Sequence, residues 1–581
     1  MHSRAILRSA IFSVCLTSVG ALAQQVESLP AAAKPVEQSF SVRQSAMSLV
    51  EEALAGTGSL SLPANRLAIE LRAFPILWSR SEARARALVQ QMAGEFAQAA
   101  NPNKQDPDQN PQYVLNTLRN QRNAIARGIA NSDADLALLF VNSTQPYLDD
   151  DPEDHALITD LAAQIALHDP RRALQLAEQQ LKESDDLPQS MINLLDQVQR
   201  NDPEAGAHLF RDIVDHLRQQ NLAEDTESLS FAASLLGSQF TRQSEAGQPD
   251  STLRALAEAV AAAALSSNVM QNEPYVLSDA ITALDALVPS KSAGLHSKNS
   301  AQTASSQVLF WQKFNEARSS GDGTQTLALL AQAPEDVPPR ILQQATWEFA
   351  SSGDLEVARQ LADRLEPWQR NSVMQQAIRS AAFAAGSRGD FPKARQLAAQ
   401  ITDEDSRATL LSDLAIFANG IGRSRLADEM LGEATSLVVN RSAGTSAFAA
   451  QLRVAQAYLR VKPAQAIPLL DRSASQIEQA LSAAAQLDGF LPDRHSFEGS
   501  ELILDQGFLY DSLLEPYALA TAELAGLDLP AARALANRLP LPEARLMTEV
   551  YVAAGVLNQE GQTQAASNPT GGMQLWSNAA K

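Results

Sequence analysis

A nine-residue segment recurs along the second half of the chain. Asp354-Leu355-Glu356-Val357-Ala358-Arg359-Gln360-Leu361-Ala362 returns as Asp390-Phe391-Pro392-Lys393-Ala394-Arg395-Gln396-Leu397-Ala398, and again as Asp528-Leu529-Pro530-Ala531-Ala532-Arg533-Ala534-Leu535-Ala536. A weaker copy places Asp169, Ala173, Leu176 and Ala177 in the matching positions of the first half. Aspartate caps a helix by accepting from the free amides of its first turn. Pro392 and Pro530 fall in that turn, where a missing N–H costs little. Ala358, Leu361, Ala362 and Leu365 are spaced i, i+3, i+4 and i+7, so they line one stripe of a helix. Ala394, Leu397 and Ala398 repeat the stripe, as do Ala532, Leu535 and Ala536. Alanine in such a stripe lets a second helix come close. Gly353 and Gly389 stand immediately before the capping aspartates, and Gly353, Gly389 and Gly422 follow one another at nearly even intervals. One helix–turn–helix unit fills each interval, and such a unit buries its apolar face only by stacking on its neighbours.

The rest of the chain carries the same helical periodicity. Leu67, Leu71, Phe74 and Leu77 are spaced for one helix face, as are Leu88, Met92 and Phe96. Alternation with period two is nearly absent, apart from a short strand expected near Leu502–Leu504. The expected fold is therefore all-α, an α-solenoid of stacked antiparallel helical hairpins in two halves. Residues 24–40, with Pro30, three alanines and Pro35, read as a flexible leader. Residues 41–288 read as the N-terminal helical half and 308–557 as the C-terminal one. The Ser/Ala/Lys/Asn-rich stretch 289–307 reads as a linker between them. Residues 490–507 read as an irregular insertion, and 558–581 as a flexible tail.

The Gly-Asp-(aromatic or aliphatic)-x-x-Ala turn, as in Gly389-Asp390-Phe391 followed by Ala394, resembles that of the tetratricopeptide-repeat-like (TPR-like) superfamily. So does the small residue seven before the glycine, Ala382 for Gly389 and Ala415 for Gly422. The early-helix tryptophan and tyrosine of that family, and its closing proline, are missing. The match covers about a third of the chain well and the first half poorly. The resemblance implies a superhelix of hairpins whose concave face binds protein segments. The competing reading is an ordinary α-domain of unrelated amphipathic hairpins, against which the shared Ala-Arg-Gln-Leu-Ala at 358–362 and 394–398 weighs.

The stretch 1–23 reads as a secretory signal peptide. Arg4 and Arg8 precede an apolar stretch from Ala10 to Val19, and Ala21-Leu22-Ala23 has the small-x-small pattern of a cleavage site. Cleavage would remove Cys15, the only cysteine, so the mature chain would have no disulfide chemistry in an oxidising compartment. The expected location is exported, periplasmic or extracellular. No later stretch has the apolar length of a membrane span. The formal net charge of −21 argues against nucleic acid, which needs a basic face, and leaves protein partners as the expectation.

Chemistry-bearing motifs are sparse. There is no Gly-x-Ser-x-Gly elbow, phosphate loop, dinucleotide fingerprint or zincin helix. His208, Asp212 and His216 fall on one expected helix face at successive i, i+4 steps, which reads as solvated; no metal and no cofactor is expected. The run Asp149-Asp150-Asp151-Pro152-Glu153-Asp154 lacks the spacing and glycine of a calcium loop. Asp493, His495 and Glu498 are the densest acid/base-capable groups outside helices and are weak catalytic candidates only, since nothing fixes their geometry. The expected function is an exported protein-binding or scaffolding module, more a non-enzyme than an enzyme. The alternative is an exported α/α enzyme on glycan or cell-wall substrates. Sugar clefts are lined by aromatics, and five Trp and seven Tyr over 581 residues do not suggest one.

Overall fold

The computed structural model describes residues 36–557 apart from 101–110, 149–151, 185, 247–249, 267–275, 278, 304–312, 315, 319, 332–336, 338, 440–443, 488–495 and 505–507. The segments read as signal peptide, most of the leader and the tail lie outside the described residues. In chain order the helices are α1 (Val36–Gly56), α2 (Pro63–Trp78), α3 (Glu82–Ala99), α4 (Pro111–Ala130), α5 (Ala134–Thr144), α6 (Pro152–Ile165), α7 (Pro170–Glu183), α8 (Ser190–Asn201), α9 (Pro203–Gln219), α10 (Thr226–Ala246), α11 (Ser251–Ser266), α12 (Ile281–Leu287) and α13 (Pro289–Thr303). They continue with α14 (Gly323–Leu330), α15 (Pro339–Ser352), α16 (Leu355–Ala362), α17 (Pro367–Ser387), α18 (Phe391–Ala398), α19 (Glu404–Gly420), α20 (Ser424–Val438), α21 (Thr445–Val461) and α22 (Ala466–Leu487). After the strands β1 (Phe497–Glu498) and β2 (Glu501–Leu502) come α23 (Glu515–Ala525), α24 (Leu529–Ala536) and α25 (Pro542–Leu557). The protein is all-α. Among the described residues, strand structure is confined to the antiparallel pair β1–β2.

The described residues form two compact units, an internal one within 81–402 and a terminal one that joins those within 36–80 to those within 403–557. This division differs from the two halves read from composition. The stretch read as a linker contributes a helix, α13, with Ser292 and Leu295 buried. Serine, alanine and lysine tolerate helical backbone well enough for one apolar anchor to hold it. Helical structure also begins inside the leader, at Val36.

Within the internal unit, the hairpins α6–α7, α8–α9, α10–α11, α15–α16 and α17–α18 each pack their two helices together. Successive hairpins stack first helix on first helix, as α6 on α8 and α15 on α17. The joint between hairpin helices has a recurring construction. Gly353 has φ +102° and Gly389 φ +82°, in the left-handed region that favours glycine. The Gly353 amide donates to the Ala350 carbonyl (3.0 Å) and the Asp354 amide to the Phe349 carbonyl (2.9 Å). Gly389 and Asp390 make the same pair of bonds to Gly386 and Ala385 (2.8 and 3.0 Å). This pair of hydrogen bonds closes the first helix. The same aspartate then opens the second, its carboxylate accepting from the Val357 amide (3.1 Å) or the Lys393 amide (3.2 Å). One residue thus ends one helix and begins the next. Gly321-Asp322 builds the joint too, although its repeat is unreadable in the sequence: Asp322 accepts from the Gln325 amide at 2.9 Å. Asp169 and Asp528 cap α7 and α24 with no glycine before them.

Ala358, Leu361 and Ala362, Ala394, Leu397 and Ala398, and Ala532, Leu535 and Ala536 are all buried. In the internal unit Ala358 and Leu361 join a core that includes Phe314, Leu342, Ala345, Phe349 and Ala377. Ala394 has no exposed surface. Ala394→Trp should overpack that contact and cost about 1–3 kcal/mol. Thermal unfolding of the variant checks it, and an unchanged Tm would contradict the packing.

In the terminal unit the helices pair as α19–α20, α21–α22 and α23–α24. The last helix, α25, packs against α23, α1 and α2, so helices from the two ends of the described chain share one core. The Arg72 guanidinium stacks on the Tyr551 ring at 3.8 Å, Arg533 pairs with Glu52, and Arg80 donates to the Leu557 carbonyl at 3.2 Å.

Candidate functional site

Two groups of side chains in the internal unit are candidates for function. The first is a set of exposed aromatic side chains on α15 and α17 of the internal unit. These are the first helices of consecutive hairpins and they pack on each other. The inward stripe of α15 is Leu342, Ala345, Thr346, Phe349 and Ala350, and that of α17 includes Ala377, Ile378, Ala381, Ala382 and Ala385. Trp347 falls off the α15 stripe and is 54% exposed. Trp368, at the start of α17, is 76% exposed, and Phe383, further along it, is 49% exposed. In a chain only 5% aromatic, three large rings on two adjacent helices turn away from the core. The signal was present in the sequence: the helical stripe of α15 leaves Trp347 outside it.

The second is a group of potential ligands on α7 and α9. His208 and Asp212 sit one turn apart on α9, and Glu178 reaches them from α7. His208 Nδ1 lies 2.9 Å from Asp212 Oδ2 and 3.6 Å from Glu178 Oε1. His216 stands apart from this group, its Nε2 3.1 Å from the Gln220 side-chain nitrogen. The i, i+4 spacing showed His208 and Asp212. It could not show Glu178, which comes from another helix.

The stretch 490–507 has a structural role where it is described. Asp493 and His495 lie outside the described residues. Glu498 is exposed on β1, beside Gly499, whose φ of +62° makes the turn into β2. The engaged carboxylate is Glu501. It accepts from the Ser61 amide, the Ser61 hydroxyl (2.6 Å), the Leu62 amide (3.1 Å) and the Asn65 side-chain amide (3.2 Å). A carboxylate near the far end of the sequence therefore caps the N-terminus of α2. Asn65 also donates to the Leu502 carbonyl (2.8 Å) and accepts from the Leu504 amide (2.9 Å), while Glu543 of α25 accepts from the Leu502 amide (2.7 Å). Burial alone would raise the Glu501 carboxyl, but its donors outweigh burial and hold it below the usual glutamate range. Burial pushes the Glu543 carboxyl up, and its bond from Leu502 offsets this only in part. These groups are consumed in fastening the β-hairpin to α2 and α25.

Of the acidic run, Asp149, Asp150 and Asp151 lie outside the described residues, and its last member enters a buried ion pair. Asp154 accepts from Arg122, whose side chain has no exposed surface, and Arg119 Nε lies 3.9 Å from the same carboxylate oxygen. Arg122 also donates to the Gln145 side-chain oxygen at 2.8 Å. The pair joins α4 to α6. Among the described residues, no helix is long and apolar enough to cross a membrane.

No protein-family model matches the chain, and no curated protein does. Among solved structures the chain is similar to a circular tandem repeat protein with novel repeat topology and enhanced subunit contact surfaces. The identity is 14%, over 89% of this chain and 100% of that one, with a TM-score of 0.16. A TM-score that low gives the likeness no weight for fold or function.

Proposed function

We propose that this chain is an exported, TPR-like helical-repeat protein that binds a segment of another protein across the first helices of its hairpins. One observation carries the reading: Trp347, Trp368 and Phe383 are exposed on adjacent first helices whose inward stripes, among them Leu342, Phe349, Ala377 and Ala381, are buried. Aromatic anchors, tryptophan above all, dominate the energetics of protein interfaces. An amphipathic helix or extended segment with apolar side chains at i, i+3 and i+4 is the partner chemistry that such a face accommodates. Export rests on the stretch 1–23, whose charged start, apolar middle and Ala21-Leu22-Ala23 site fit a signal peptide.

The test is affinity capture with the full chain, followed by affinity measurement on any partner found. Trp347→Ala with Trp368→Ala should weaken binding by about 2 kcal/mol or more, roughly thirtyfold, since both rings would be anchors. The circular dichroism and Tm of the double variant should match the parent, because neither ring is part of the core. A partner bound equally well by parent and double variant would refute the aromatic face as the binding surface.

A further inference from the structure

We propose that Glu178, His208 and Asp212 form a binding site for one divalent transition-metal ion of the zinc class, bridging two consecutive hairpins of the internal unit. The candidate ligand atoms are His208 Nδ1 and one carboxylate oxygen from each acid, and all three lie within 4.8 Å of one another. Bonds of 2.0–2.2 Å from zinc to nitrogen and oxygen, set at tetrahedral angles, require ligand-to-ligand edges of about 3.3–3.6 Å. The two measured edges from His208, 2.9 and 3.6 Å, straddle that range. All three side chains are partly exposed, which leaves them room to rotate toward a shared ion.

The chemistry of the set selects among ions. A neutral imidazole and two carboxylates carry a charge of −2, which balances a divalent cation. Magnesium and calcium take oxygen ligands almost exclusively, whereas an imidazole suits zinc, copper, nickel and iron. His208 is half-exposed, so a fourth ligand can come from water. The nearest cationic neighbour in sequence, Arg211, turns its Nε to the Ala207 carbonyl at 3.2 Å and does not occupy the carboxylates in place of an ion.

The location gives the ion a mechanical role. α7 is the second helix of the hairpin α6–α7, and α9 is the second helix of α8–α9. His208 and Asp212 alone would decorate one helix, but Glu178 makes the site span the step between hairpins. A bound ion would therefore fix the spacing of two repeat units on the side where their second helices pack.

The experiment uses the full chain stripped of metal. Zn²⁺ is titrated by calorimetry, and Co²⁺ by its visible absorption and X-ray absorption. The expected result is one ion per chain with one imidazole nitrogen among oxygen ligands. His208→Ala should abolish the imidazole signature. Asp212→Asn and Glu178→Gln should each weaken binding by at least the roughly tenfold that loss of even an outer-shell partner costs. All three positions are at the surface, so circular dichroism should be unchanged in every variant. Failure of the parent chain to bind Zn²⁺ at micromolar concentrations would overturn the proposal, as would equal affinity in parent and His208→Ala. Binding lost in His208→Ala but untouched in Glu178→Gln would overturn the bridging site.

Discussion

Asp154→Ala should destabilise the internal unit by about 3–5 kcal/mol, the usual cost of removing one partner from a buried ion pair. The substitution deletes few atoms, and its effect comes from what it leaves behind. Arg122 has no exposed surface and directs one guanidinium nitrogen at Asp154 and another at Gln145. Without the carboxylate, that buried guanidinium loses the charge it pairs with in a low-dielectric site. Arg119, buried beside it, loses the same counter-charge. Guanidinium groups do not shed their proton to relieve the strain. The measurement is chemical unfolding of the full chain, read by hydrogen exchange at the amides of α4 and α6. A companion variant separates charge from packing. Asp154→Leu combined with Arg122→Met removes both charges and should recover most of the loss, because apolar replacement of a buried pair is often neutral. A loss below about 1 kcal/mol in Asp154→Ala would show that water reaches Arg122, as at an exposed pair.

Gly555→Leu should be comparably damaging to the terminal unit, at about 3 kcal/mol, the upper end of the overpacking range. A Cβ at position 555 would stand 2.0 Å from the Ala522 carbonyl oxygen and 2.6 Å from its carbon. These are backbone atoms of α23, so no side-chain rotation relieves the clash and α25 must move away bodily. That helix also supports α1 and α2, so the displacement spreads to the N-terminal helices. Glycine inside a helix costs about 1 kcal/mol relative to alanine, and close contact with α23 is the compensating gain. Even Gly555→Ala should lower the Tm, although alanine is the better helix former. A Tm raised by that change would mean that α23 and α25 sit further apart than described.

The hairpins were legible in the sequence because their signal is local. The glycine at positive φ, the aspartate that follows it and the alanine stripe are close neighbours in the chain, and a helix stripe constrains every third or fourth residue. The copy at Gly321-Asp322 escaped because its second helix, Gly323–Leu330, has threonine and leucine where the others have alanine. Features that depend on distant residues left no mark. Nothing in the composition of residues 36–80 says that they pack on α25. Glu501 differs from Glu498 only in what faces it, and Ser61 and Asn65 are supplied from the other end of the chain. The Ser-rich stretch 289–307 misled for the opposite reason: its composition is polar, yet Ser292 bonds to Asp285 and Leu295 is buried, which suffices to order α13. For the candidate metal site, half of the geometry was readable as an i, i+4 pair and the remaining ligand was not.

The sharing of one core by the two ends of the chain also sets an order of events during synthesis. Ser61 leaves the ribosome 440 residues before Glu501, and Glu52 leaves 481 residues before Arg533. At translation rates of about 5–20 residues per second, α1 and α2 wait roughly 20–100 s for the partners that cover them. The internal unit has all its own residues by then and can fold in that interval. Among the described residues, the apolar faces of α1 and α2 are thus the ones that wait longest for their cover.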